Sequence, residues 1–286
     1  MTTVRTLSLT ALAMIAFASN SILCRLALKQ TSIDPATFTF VRILSGAITL
    51  WLVMQMRRAK SLEAGNWLSA FALFLYAAAF SFAYLHLSAG TGALLLFGAV
   101  QATMIFWGWR KGEHLDAIQV FGLIIAITGL FVLLFPGLSA PPLFDSVMML
   151  TAGAAWGIYS LRGRGEKNPV GATAGNFLRA VPFAVAIIAV ALPWIKLDSL
   201  GVFYALLSGA ITSGLGYVIW YRALPGLKAA SAATVQLSVP VLAAAGGIVL
   251  LGEPISLRYV LASLAVLGGI ALVLTEKQRM TPGAGR

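Results

Sequence analysis

Apolar stretches about twenty residues long follow one another along this chain, separated by short polar breaks where the charged residues gather. The stretches lack the ten-residue alternation of a membrane barrel. A helix needs about 20 apolar residues to cross a hydrocarbon core, and in lipid a helix satisfies its own backbone. The pattern predicts ten helices: Leu7–Leu28, Ala36–Gln55, Asn66–His86, Thr91–Trp109, Asp116–Phe135, Leu143–Leu161, Gly171–Pro193, Gly201–Tyr221, Lys228–Leu250 and Leu257–Thr275. The expected fold class is an all-α integral membrane protein with ten transmembrane helices.

Composition supports this pattern. The 286 residues are 59% hydrophobic and 10% charged, with a mean hydropathy of +0.91. Soluble domains carry about 25% charged residues. The net charge of +11 suggests a polyanion partner until its positions are read. Fourteen of the twenty Lys and Arg residues fall in alternate breaks and tails: Arg5, Arg57, Arg58, Lys60, Arg110, Lys111, Arg162, Arg164, Lys167, Arg222, Lys228, Lys277, Arg279 and Arg286. Arg25, Lys29, Lys196 and Arg258 fall on the other side, and Arg42 and Arg179 lie within apolar runs. By the positive-inside rule both termini face the cytoplasm. The expected partners are therefore a small-molecule solute and membrane lipid, with no nucleic acid and no oligomer implied.

The single Cys24 excludes an internal disulfide and a cysteine-built zinc cage. No metal or cofactor is expected. Arg5, an apolar run and Ala16-Phe17-Ala18 imitate a signal peptide, but the run continues to Leu28, so the segment reads as a retained first helix.

The chain repeats itself. Leu95–Leu134 and Val235–Leu274 align at an offset of 140 residues, placing Gly112-Glu113 on Gly252-Glu253 and Gly129 on Gly269. Ala89 falls on Ala229 and Thr91 on Ser231. Phe40-Val41-Arg42 matches Phe177-Leu178-Arg179, and Asn20-Ser21-Ile22 lies over Trp156-Gly157-Ile158. Five helices per half is an odd number, so the second half enters the membrane inverted. The expected units are residues 1–138 and 139–278, followed by an unstructured cytoplasmic tail over 279–286. A duplicated membrane unit of this kind is usually a transporter.

These marks resemble the EamA-like ten-helix branch of the drug/metabolite transporter superfamily. The resemblance rests on Leu250-Leu251-Gly252-Glu253-Pro254, on Gly268-Gly269, on the echo at Gly112-Glu113 and on the paired arginines Arg42 and Arg179. The first half departs from it with His114 where the second has Pro254. The resemblance implies a metabolite exporter of the bacterial inner membrane, multi-pass, most similar to exporters of aromatic and other neutral amino acids. Carriers of drugs or nucleotide sugars share the fold.

A solute site near the midplane needs polar or aromatic groups. Asn20, Gln101 and Gln236 are amides in apolar runs, and leaving an amide unpaired in hydrocarbon costs about 2–7 kcal/mol. Each therefore faces a neighbouring helix or a solute path. Pro240 removes a backbone donor opposite the carbonyl of Gln236. Tyr76, Phe80 and Tyr84 share one face at four-residue spacing. With Phe97, Trp156, Tyr159 and Tyr217 they are the aromatic candidates. Trp107, Trp109, Trp194, Trp220 and Tyr221 read as an interfacial belt. His86 is either a titrating group on the path or a polar cap. Arg42 and Arg179 either pair with a solute carboxylate or bond helix-end carbonyls. The small residues Gly153, Gly157, Gly209 and Ser213 allow close helix approach. All nine acids lie in breaks or at run ends, which argues against coupling through a buried midplane carboxylate. Glu113 and Glu253 read as N-terminal caps on the fifth and tenth helices. No nucleophile–base pair marks an enzyme.

Overall fold

A computed structural model describes residues 3–280 apart from 57–63, 113, 138–139, 165 and 228. All the regular structure among the described residues is helical. The helices are α1 (Thr3–Gln30), α2 (Pro35–Met56), α3 (Trp67–Ala83), α4 (Ala89–Arg110), α5 (Ala117–Leu134), α6 (Leu143–Arg162) and α7 (Pro169–Ala191). Next comes α8, over Ser199–Gly226, in which a π-helical stretch at Leu207–Leu215 separates α-helical pieces. The ninth, α9, has two pieces, Ala229–Gln236 and Ser238–Leu251, and α10 covers Leu257–Met280. Among the described residues eight helices are long and apolar enough to cross a membrane, and α3 is a shorter apolar helix. Large apolar side chains such as Ile15, Phe121, Phe131, Val190 and Leu264 are exposed on the outside of the bundle. Lipid is the solvent that accepts such a surface.

Helices pack in matched pairs. Across the two halves α2 lies on α7, α4 on α9 and α5 on α10. The contact of α1 with α8 is matched by that of α6 with α3, and the contact of α4 with α6 by that of α9 with α1. Glycines permit the approach. A Cβ at Gly153 would strike the Leu96 carbonyl, and one at Gly209 would strike Ser45 and the Arg42 carbonyl. Gly122 and Gly269 each pack on the other's carbonyl, bringing α5 and α10 backbone to backbone.

The links show which ends of the helices lie together. Asp34, after α1, accepts a hydrogen bond from the Lys196 backbone N–H (2.9 Å), after α7. The Ala64 carbonyl, after α2, accepts from Arg179 (2.9 Å), and Asn66 accepts from Arg162 (3.0 Å) at the end of α6. The first link of one half thus meets the second link of the other.

The repeated Gly-Glu break has a backbone reason. Gly112 and Gly252 adopt φ of +90° and +62°, a left-handed conformation that only glycine takes without strain. Gly252 closes α9, its N–H donating to the Ile248 carbonyl while Glu253 N–H returns to Gly247. The caps differ from expectation. Asp116 caps α5 in a reciprocal box with Gln119, and Ser256 caps the start of α10 through Tyr259 N–H. Glu253 instead accepts from Ala89 N–H (2.8 Å) at the start of α4, because the left-handed turn sends it back into the bundle. Glu113 lies outside the described residues.

Other expectations change as well. The ninth run is not one continuous helix; it breaks at Leu237, three residues before Pro240, where the α-helical hydrogen-bond ladder loses a donor. Trp220 is buried against Phe17 at 6.0 Å and does not belong to an exposed belt, whereas Trp107, Trp109 and Trp194 are exposed. The last helix extends to Met280, two residues into the expected tail, and residues 281–286 lie outside those described.

Candidate functional site

A buried amide stands at the centre of the bundle. Asn20 on α1 is 5% exposed. Its Oδ1 accepts from Ser208 and, at 3.3 Å, from Thr212, both on the π-helical stretch of α8. Its Nδ2 donates to the Tyr76 hydroxyl of α3 at 3.3 Å. That hydroxyl also accepts from Arg42 Nη2 of α2 at 2.9 Å. A polar chain therefore links α2, α3, α1 and α8. The π geometry widens the turn that carries Ser208 and Thr212, as at many functional sites.

Aromatic rings surround this chain. Phe17, Asn20 and Ser21 of α1, Tyr76 and Phe80 of α3, Leu96 and Phe97 of α4, Trp156 of α6, and Thr212 and Tyr217 of α8 enclose a cavity of about 20 Å³. That space accommodates about one water, so a solute enters only when the walls part. Trp156 stacks on Tyr217 (5.2 Å, 18°) and on Tyr159 (5.4 Å, 25°), with Tyr76 5.0 Å away. Each such pair contributes about 0.5–1.5 kcal/mol beyond its buried area. Among the described residues no carboxylate lines the cavity.

A larger open cavity, about 320 Å³, lies at the end bearing the α3–α4 and α9–α10 links. His86, Leu133, Ala244, Glu253 and Tyr259 are among its walls. An ion pair stands between this vestibule and the central cavity. Ser21 lines the inner space, Arg25 follows one turn later, and its Nε meets Glu253 at 3.1 Å. Arg25 Nη1 also donates to the Tyr84 and Leu85 carbonyls at 2.9 and 2.7 Å, pinning the end of α3. The opposite end is closed by polar contacts. Arg162 donates to Ser69 and Asn66, both at 3.0 Å, and Asn66 N–H donates to Asn176 at 2.9 Å. Tyr159 donates to Thr173 (3.4 Å) one turn beyond Trp156.

Asn20, Tyr76, Phe80, Phe97, Trp156 and Tyr217 are thus brought together around one cavity. Five other candidates lie elsewhere. Tyr159 stacks behind Trp156 and lines the closed end. Tyr84 is fully buried, donates to the Ala89 carbonyl and fills the gap over Gly92. His86 lies in the vestibule with its side chain 65% exposed, 3.1 Å from Asp145. Gln101 is buried in α4 and Gln236 ends the first piece of α9, and neither is among the residues lining the cavity. The arginines divide. Arg179 bonds the Ala64 and Gly175 carbonyls, a structural role. Arg42 is 2% exposed and packs at 5.1 and 4.8 Å over the Tyr76 and Phe80 rings. Ser208, Thr212 and the pairing of Arg25 with Glu253 join the site beyond the candidates the sequence offers. The four-residue spacing of Ser208 and Thr212 was their one visible signal.

Two segments of the chain, residues 4–135 and 144–275, each match the model of the EamA-like transporter family. This chain belongs to that family. It is 55% identical over 274 residues to an uncharacterized protein of Pseudomonas aeruginosa, covering 96% of each chain. It is 22% identical over 252 residues to the uncharacterized transporter YoaV of Bacillus subtilis, covering 83% of this chain and 86% of that one. A solved crystal structure, 16% identical, superposes with a TM-score of 0.65 over 96% of this chain and 98% of the other, a likeness of fold. The EamA chain is therefore a membrane transporter of small molecules.

Proposed function

We propose that this EamA protein exports neutral, mainly aromatic, amino acids across the bacterial inner membrane by alternating access. The observation that carries this reading is the central cavity. It has aromatic walls, one satisfied amide, no carboxylate, and a polar closure at each end. Aromatic walls suit a partly apolar solute through stacking and buried area. The matched helix pairs and meeting links support two inverted five-helix units, 1–138 and 139–278, with ten crossings and both termini cytoplasmic. The vestibule then faces the periplasm and the Arg162–Asn66 closure faces the cytoplasm. Parting one closure while the other holds admits solute from one side at a time. With no carboxylate among the described residues at the central cavity to hold a coupling ion, the solute moves down its own gradient. Purified protein in liposomes loaded with unlabelled phenylalanine should accumulate labelled phenylalanine by counterflow. Lack of exchange for phenylalanine, tyrosine, tryptophan and leucine alike would defeat the substrate assignment.

A further inference from the structure

The central site holds a cation without an anion. Arg42 is 2% exposed, and its Nη1 has no hydrogen-bond partner among the described residues. The two ion pairs among the described residues, Arg25–Glu253 and His86–Asp145, leave it without a counter-charge. Its equivalent, Arg179, spends its guanidinium on two carbonyls. Burying an unpaired charge is expensive, and an idle donor on it adds to the cost. Tyr76 and Phe80, whose rings carry the guanidinium, are themselves cavity walls. Parting those rings opens Arg42 to the solute.

We infer that Arg42 anchors the carboxylate of the solute and that the site does not require the ammonium group. The inference rests on the central cavity being the solute site. A guanidinium offers paired donors that match a carboxylate in a low-dielectric setting. An ammonium finds the reverse. The amide oxygen of Asn20 already accepts from Ser208 and Thr212, the wall has no carboxylate, and Arg42 repels a second cation. The substrate class is therefore an aromatic or bulky apolar monocarboxylate, with amino acids as members of it.

The test compares phenylalanine, 3-phenylpropionate, which lacks the amine, and phenethylamine, which lacks the carboxylate. Thermal stabilisation of the purified protein in detergent reads binding, and counterflow reads transport. Phenylalanine and phenylpropionate should stabilise it to a similar degree, with phenethylamine at least about tenfold weaker in half-saturation, the value of one charge-assisted hydrogen-bond pair. Arg42→Gln should abolish that preference and Arg42→Lys retain part of it. Equal binding of amine and acids, or exclusion of phenylpropionate, overturns the inference, as does stabilisation by none of the three. Stabilisation by the acids without counterflow upholds the anchor and removes the transport assignment instead. The wild-type comparison stands even if the variants misfold.

Discussion

The Arg25–Glu253 pair is the contact whose loss should change the protein's conformation most. Glu253→Gln keeps the shape and the acceptor for Ala89 N–H but removes the charge facing Arg25. Both partners are buried, at 9% and 7% exposure. Removing one member of a buried pair costs about 3–5 kcal/mol. Arg25 retains the Tyr84 and Leu85 carbonyls, so the loss falls at the low end or below it, about 2–3 kcal/mol. If the pair forms only while the vestibule end is closed, the open population rises about 30- to 140-fold. The chain carries its own reporter. Cys24 precedes Arg25, is 0% exposed, and is the single cysteine of the sequence. Its labelling by a membrane-impermeant maleimide, applied from the vestibule side of sealed vesicles, should accelerate accordingly. Adding Arg25→Gln should add less than its effect alone, since both changes break the pair and only the loss of the Tyr84 and Leu85 carbonyl bonds is new. Labelling that stays within about threefold of wild type, in a monodisperse Glu253→Gln protein, would refute the pair as a closure.

The other expectations concern packing, the wall and the far closure. Gly269→Val drives a side chain into the Gly122 carbonyl, so melting in detergent should fall by the equivalent of about 1–3 kcal/mol; an unchanged melting point contradicts the α5–α10 contact. Trp156→Ala removes the ring between Tyr159 and Tyr217 and should raise the half-saturation for phenylalanine counterflow about tenfold; an unaltered value means the wall does not meet the solute. Arg162→Ala loses the bonds to Ser69 and Asn66, so a cysteine at Ala172, introduced in a Cys24→Ala background, should label about threefold faster from the α2–α3 side. A change seen only from the vestibule side would place that closure wrongly.

The helices were legible because the solvent is lipid. Each run had to satisfy its own backbone, so length and apolarity were enough to place α1, α2, α4, α5, α7 and α10. The repeated Gly-Glu break was legible as a break but not in its partners. Adjacency assigned Glu253 to the next helix, whereas the left-handed Gly252 turns it toward Ala89 and Arg25, the latter 228 residues away. The π-helical stretch was not legible, since Leu207–Leu215 carries no proline and its widened turn is held by tertiary contacts, among them the bond from Ser208 to Asn20. Aromatic spacing did find Tyr76 and Phe80, because four-residue spacing fixes a common face. It placed Tyr84 on the same face but could not show that this ring is used up covering Gly92.

The central cavity uses equivalent positions for unlike chemistry. Asn20 and Trp156 occupy matching places in α1 and α6, and both reach the cavity. One brings an amide and the other an indole. Arg42 and Arg179 are likewise equivalent, yet only Arg42 is deeply buried with an idle nitrogen, while Arg179 is bound to carbonyls near the α2–α3 link. A site with identical halves would bind an asymmetric solute equally well in two opposed orientations. Here the first half holds the cation and the amide, and the second half supplies the stacked ring system of Trp156 and Tyr217. A solute with one charged end and one aromatic end fits in a single orientation, charge toward α2 and ring toward α6. On the proposed reading, duplication provides the two closures of an alternating-access cycle, and divergence at the centre provides the polarity by which the solute is read.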